Sequence, residues 1–267
     1  MTPILIGALL GWFLGGFGGA IIGLGVGFFI SARSNLGFGT AHTSSPETQK
    51  VFFETLFRLL GHIAKADGQI TPDEISQTEA TMAQSRLTPE HRQLAIALFK
   101  EGAASEFDRK SQIRQFQSQC GASPLLRQTL MIYLISLALA DGTLDITERN
   151  ILAEVAMSLG MNRATLEHLI SMVDAQTHFR SSNQGGSKSY SQPQTKHELD
   201  LAYGALGVSK DISDKDLKRA YRKLVSEHHP DKLIGQGVPE EMIQVATERS
   251  QEIHTAYDLI CEHRKKH

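Results

Sequence analysis

An imidazole, a ring-locked residue and a carboxylate follow one another at His229-Pro230-Asp231. Proline has no N–H to donate and its ring clashes one turn back, so a helix reaching this point must end. It also pushes His229 out of the helical region. The spacing predicts a helix that stops near His228 and a stiff corner carrying His229 and Asp231 at its tip. Loop tips on rigid scaffolds are where binding groups gather. The helix leading into the corner is basic. Lys215, Lys218, Arg219, Arg222 and Lys223 cover its surface, and Leu217, Ala220, Tyr221 and Leu224 form one apolar stripe. A basic helix face alone is ordinary solvated surface; the corner beside it makes this one a candidate site. Such a set recognises a partner by charge and hydrogen bonding. No Ser-His-Asp or Cys-His set stands out by spacing among the eleven histidines. No phosphate-cradling glycine loop is present either, so no catalytic residue, cofactor or metal ligand is assigned.

Three further segments must position the corner. Ser213-x-x-Asp216 has the form of a capping box at the start of the basic helix. Leu199 to Leu206 reads as a short helix stopped by Gly207. Glu240 to Ile260 repeats the helical pattern through Ile243, Ala246, Ile253, Ala256, Tyr257 and Ile260. Two antiparallel helices joined through His-Pro-Asp and preceded by a short helix resemble the J domain of the DnaJ co-chaperones. The resemblance is carried by LAYGALGV at 201–208, LKRAYRKLVSEHHPDK at 217–232 and EIHTAYDLI at 252–260, about the last quarter of the chain. The tripeptide alone is easily met by chance; flanked by AYRKL and AYDLI at this spacing it is specific. The resemblance implies docking on the ATP form of the DnaK chaperone and faster hydrolysis there. It implies that Asp231 pairs with an arginine of DnaK and that His229 fixes the turn and touches the interface. Lys218, Arg219, Arg222 and Lys223 would then meet an acidic surface. His228 reads as incidental. The chemistry belongs to the partner, so the chain is not expected to be an enzyme.

The 267 residues suffice for one large or two modest domains with appendages. A formal charge of −2 gives no global field to recruit nucleic acid or acidic lipid. The two cysteines, Cys120 and Cys261, fall in different domains and have no metal-ligand spacing, so reduced thiols are expected. The zinc-binding cysteine repeats and the Gly/Phe-rich segment of the long DnaJ proteins are missing.

Pro3 to Ile30 carries no charge over 28 residues, and a membrane-crossing helix needs roughly 20. As a straight helix it would be about 42 Å long, which implies tilt or a frayed end. Nothing basic precedes it, unlike a secretory signal. The first charge is Arg33, so the carboxy-terminal side is expected to be cytoplasmic and the amino terminus periplasmic. Gly7, Gly11, Gly15, Gly19, Gly23 and Gly27 fall at every fourth position. Such a row leaves a groove along which a second helix can approach closely, which predicts a homodimer through the membrane.

Residues 31–47 read as a linker, and Thr48 to about Ala175 is helical in pattern throughout. Phe52, Phe53, Leu56, Leu59, Leu60 and Ile63 make one stripe, and Leu94, Ala97 and Leu98 another. Leu130 to Ala140 is apolar nearly all round, as in a buried central helix. An internal echo relates Ala66-Asp67-Gly68 with Glu74 to Ala140-Asp141-Gly142 with Glu148, at an offset of 74 residues. Thr71-x-x-Glu74 and Asp145-x-x-Glu148 supply capping signals after each turn. As calcium loops these lack oxygen ligands at Ile63, Lys65, Leu137 and Leu139, so they read as turns and caps. The duplicated turn resembles the TerB-like helical domain. With the J-domain features and the apolar segment, the whole chain resembles a bacterial membrane-anchored co-chaperone of the DnaJ class.

Gln176 to His197 is polar and rich in Ser, Gln and Gly, and is expected to be a flexible tether that lets the last domain search a volume. The expected architecture is all-α: an anchor at 1–32, a TerB-like bundle at 48–175, a linker at 176–197 and a J-domain hairpin at 198–267. The implied function is recruitment and stimulation of DnaK at the inner membrane. A second reading is an envelope signalling scaffold, acting through transmembrane dimerisation and the TerB-like domain.

Overall fold

A computed structural model describes residues 45–65, 87–139, 144–184 and 196–266. The expected anchor with its glycine row, both Asp-Gly turns and the tether after Gln184 lie outside the described residues. All regular structure among the described residues is helical, with no strand. No described helix is long and apolar enough to cross a membrane.

Three helices open with a hydroxyl residue followed by proline. They are α1 (Pro46–Ala64), α2 (Pro89–Ala103) and α4 (Pro124–Ala138), capped by Ser45, Thr88 and Ser123. Each hydroxyl accepts from a backbone N–H of the first turn, and proline at the first helical position lacks a donor that would go unpaired anyway. Between them lies α3 (Arg109–Cys120), capped by Asp108. The predicted stripe of α1 is buried from Phe52 to Ile63. That of α2 is rotated from the expectation: Ala95, Leu98 and Phe99 are buried, while Leu94 is 46% exposed. The i, i+3, i+4 set closes on Phe99, which faces α1, and leaves Leu94 on the outer side. Helix α4 is buried continuously from Thr129 to Ile135, the first half of the run expected to be interior, while Ser136, Leu137 and Ala138 are half-buried.

The closest crossing joins α1 and α2. A Cβ on Gly61 would stand 2.0 Å from the carbonyl oxygen of Phe99, and one on Gly102 would stand 1.8 Å from that of Arg58. Each glycine makes room for the other helix's backbone. Beside the crossing, Arg58 bonds Glu101 at 2.9 Å and Gln112 at 3.1 Å, and Gln112 donates to Thr55 at 2.8 Å.

Helix α5 (Ile146–Ser158) starts at the predicted reciprocal box, with Asp145 capping the N–H of Glu148 and Glu148 returning to the N–H of Asp145. Helix α6 (Arg163–Gln184) runs well past Ala175. Its residues 176–184 were expected in the tether from their polar composition. Gln176 and Phe179 are instead almost fully buried, and that packing carries the helix onward.

The last four helices are α7 (Lys196–Ala205), α8 (Asp214–Glu227), α9 (Pro230–Gln236) and α10 (Ile243–Lys266), with a 3₁₀ turn at Glu240–Met242 before α10. Gly207 ends α7 with φ +62°, the left-handed stop expected there. Arg264 near the end of α10 ties the α7–α8 connection down. It donates to the Tyr203 hydroxyl at 3.0 Å and the Ile212 carbonyl at 2.9 Å, and pairs with Asp214. One continuous apolar core runs from Val51 of α1 to Ile260 of α10.

The α1–α2 crossing sets a test. Gly102→Ala should lower the stability of the full chain by about 1–3 kcal/mol or more, because the methyl meets backbone that cannot swing aside. An unchanged urea midpoint would contradict the crossing.

Candidate functional site

Helix α8 begins at Ser213, whose hydroxyl accepts from the Asp216 N–H at 3.1 Å and donates to the Asp216 carboxylate at 2.8 Å. This is a one-sided cap, since the Asp216 side chain is engaged by the hydroxyl. Leu217 and Leu224 are buried, and Tyr221 stacks on Tyr257 of α10 at 4.0 Å between ring centroids. That packing fixes the rotation of α8 and leaves Lys218, Arg219, Arg222 and Lys223 exposed along its other side. Arg219 pairs with Asp216 at 3.4 Å and Lys223 with Glu227 at 3.8 Å. In both pairs the cation is solvent-exposed, although Glu227 is largely covered, so each is worth about a kcal/mol or less and yields readily to a better partner. Lys218 and Arg222 have no carboxylate within ion-pair distance among the described residues.

The corner differs from a bare loop. The basic helix ends at Glu227, His228 occupies its C-terminal cap, and Pro230 opens α9 as its first residue. His229 is the N-cap of α9, and its Nδ1 accepts from the Asp231 N–H at 3.2 Å. The acceptor role requires an unprotonated Nδ1, which leaves Nε2–H as the free donor of the ring. Lys232 braces the corner by donating to Ser226 at 3.3 Å. His229 and Asp231 are both exposed. The structure therefore brings together every residue singled out at this site: two exposed polar groups at a stiff junction of two helices, at the end of a cationic face.

Sequence reasoning missed what lies beneath. His228, read as incidental, is a core residue at 5% exposure. Its Nε2 has no hydrogen-bond partner among the described residues. Beside it is Arg249 of α10, at 6% exposure. Burial, reinforced by the Arg249 guanidinium, pushes the His228 imidazole down to about 3. Arg249 itself is held below the ordinary arginine range by burial, with Glu252 opposing. A histidine that caps a helix while lying one residue from an exposed one gives no periodic signal, which is why the pattern did not find it. Cys120 is likewise buried, and burial pushes its thiol up to about 12, so it is no nucleophile. Among the described residues no cluster of side chains could hold a metal ion.

A short leading helix, a basic helix, a braced His-Pro-Asp junction and a long closing helix define a J-domain protein. The profile of the family described as the DnaJ domain matches residues 201–267, and that of tellurite resistance protein TerB matches residues 54–170. Curated relatives extend the likeness along the chain. Co-chaperone protein DjlA of Pasteurella multocida is 34% identical over 275 aligned residues, covering 96% of each chain. Its counterpart in Photobacterium profundum is 37% identical with the same 96% coverage of each, and that of Vibrio cholerae is 39% identical over 82% of this chain and 80% of its own. No solved structure matches. The chain belongs to the DjlA family of co-chaperones.

Neutral His228 is what the core accommodates. Its folded value lies below the ordinary 6.5, so the unfolded chain takes up the proton first as pH falls. The stability it contributes is complete above pH 6.5 and is lost as pH drops toward 3. At about 1.4 kcal/mol per pH unit, about 2 kcal/mol should go between roughly pH 6.5 and 4.5. His228→Leu should flatten the pH dependence of the urea midpoint in that window by this amount; an unchanged slope would show that His228 is not the group buried as the neutral form.

Proposed function

We propose that this chain docks through α8 and the His229-Pro230-Asp231 junction on the ATP form of an Hsp70 chaperone of the DnaK type and accelerates its ATP hydrolysis. The observation that best supports this is the simultaneous exposure of His229, Asp231 and the four cations of α8 on a junction whose packing fixes their mutual placement. Asp231 supplies a carboxylate for an arginine of the partner, and a charge-assisted pair of that kind is directional. Lys218 and Arg222 supply cations for an acidic partner surface. Complementary charge acts chiefly on the encounter rate. The uncharged Pro3–Ile30 segment supports a second element of the proposal: a membrane anchor, dimeric through its row of glycines, that holds the bulk of the chain on the cytoplasmic face of the bacterial inner membrane. Hsp70 would then be recruited to that surface.

The test is single-turnover ATP hydrolysis by DnaK with the full chain added. The native protein should raise the rate, and His229→Gln should return it to the unstimulated value while leaving the helical content intact. Added salt should weaken the stimulation, because exposed charges more than about 8–10 Å apart are screened at physiological ionic strength. Stimulation that survives His229→Gln would refute the reading.

A further inference from the structure

The J-domain match meets α4 and the part of α6 that runs beyond the TerB match on a built surface. Helix α7 lies along the carboxy-terminal half of α6 at a distance set by small residues: a Cβ on Gly204 would stand 2.9 Å from that of Ala175. Gln176 of α6 donates to the Ala205 carbonyl at 2.9 Å, and its own oxygen accepts from Arg249 at 2.7 Å. The second arm of Arg249 donates to Ser136 of α4. One fully enclosed guanidinium thus joins α10 to two helices of the central domain. At the edge of the contact Arg180 pairs with Glu248 at 2.7 Å.

A second set of contacts reaches the segment that follows the corner. Ser123 at the start of α4 donates to Gln236 at the end of α9, at 2.6 Å. The Tyr133 hydroxyl, buried within α4, donates to the Met242 carbonyl at 3.0 Å. His91 of α2 stands 3.2 Å from Glu241. The connection between α9 and α10 is thereby held from behind at three points, while His229, Asp231 and the cationic face of α8 stay exposed.

We propose that this face of α4 and α6 is a docking surface for the chain's own J domain, and that the docked arrangement is the form that engages Hsp70. The inference rests on the proposed function and adds to it. The central domain presents the corner in a fixed orientation and braces the helix that Pro230 begins. It is neither a cover that must be lifted nor a neighbour from which the J domain swings free. The continuity of the core across both domains and the enclosure of Arg249 argue for a lasting contact. The exposure of the corner in that contact argues against occlusion.

The full-length protein carrying Ser123→Cys and Gln236→Cys, with Cys120→Ala and Cys261→Ala, provides the test. A short bismaleimide should join the two new thiols quickly. The joined protein should stimulate DnaK ATP hydrolysis as well as Gln236→Cys alone capped with a monofunctional maleimide. Loss of stimulation only in the joined protein would overturn the proposal, because the J domain would have to leave the surface to act. Failure to join would overturn it as well, because the surfaces would not be in contact. Ser136→Ala with Gln176→Ala, both outside the J domain, should slow the joining several-fold; an unchanged rate would refute the part given to Arg249. If the native chain gave no stimulation, the proposed function would fail, while the joining rate would still report on the docking.

Discussion

A guanidinium enclosed in an apolar core constrains everything around it. Withdrawing such an ion from water costs several kcal/mol even after relaxation, and the cost is recovered only through good hydrogen bonds. Both terminal nitrogens of Arg249 find such bonds, on Gln176 and Ser136, neither of which lies in its own domain, while its Nε has no partner among the described residues. Glu252, one turn on, adds a compensating charge, and its own carboxyl is raised by burial against the pull of Arg249 and Arg180. Separating the domains would strip Arg249 of its acceptors, so the junction is specified more sharply than apolar contact alone would achieve. His228 pays into the same arrangement by remaining neutral beside the cation.

The corner follows from this base. Helix α8 is set in rotation by Leu217, Leu224 and the Tyr221–Tyr257 stack, which turns its cations outward. Pro230 then ends one helix and begins another in a single step, because a missing N–H does no harm at a first helical position. With His229 as cap and Lys232 reaching back to Ser226, neither exposed polar group depends on a free loop for its position. A corner held this way would lose little conformational freedom on meeting a partner, which would favour affinity without added contact area.

Much of this was legible in the residues. The Phe52–Ile63 stripe, the box at Asp145 and the stop at Gly207 are local signals, and the structure meets each of them; the all-round apolar α4 is met through Ile135 and gives way to half-buried residues at 136–138. The corner was legible too, because proline acts on its immediate neighbours. What escaped detection was tertiary. Gly61 and Gly102 mean nothing until two helices cross at those positions. Leu94 looked like core because α2 carries apolar residues on more than one side. Gln176 looked like linker because an amide that satisfies a buried arginine has the same composition as one that faces water. His228 and Arg249 are polar letters in polar surroundings, and only tertiary packing makes them interior.

Hydrogen exchange on the full-length protein and on Arg249→Met tests the central claim most directly. The account predicts faster exchange together in the second half of α6, in α7 and in the segment from Gln236 to Met242, with α1 and α2 unchanged. Faster exchange confined to α10 would contradict it, since Arg249 would then serve only its own helix.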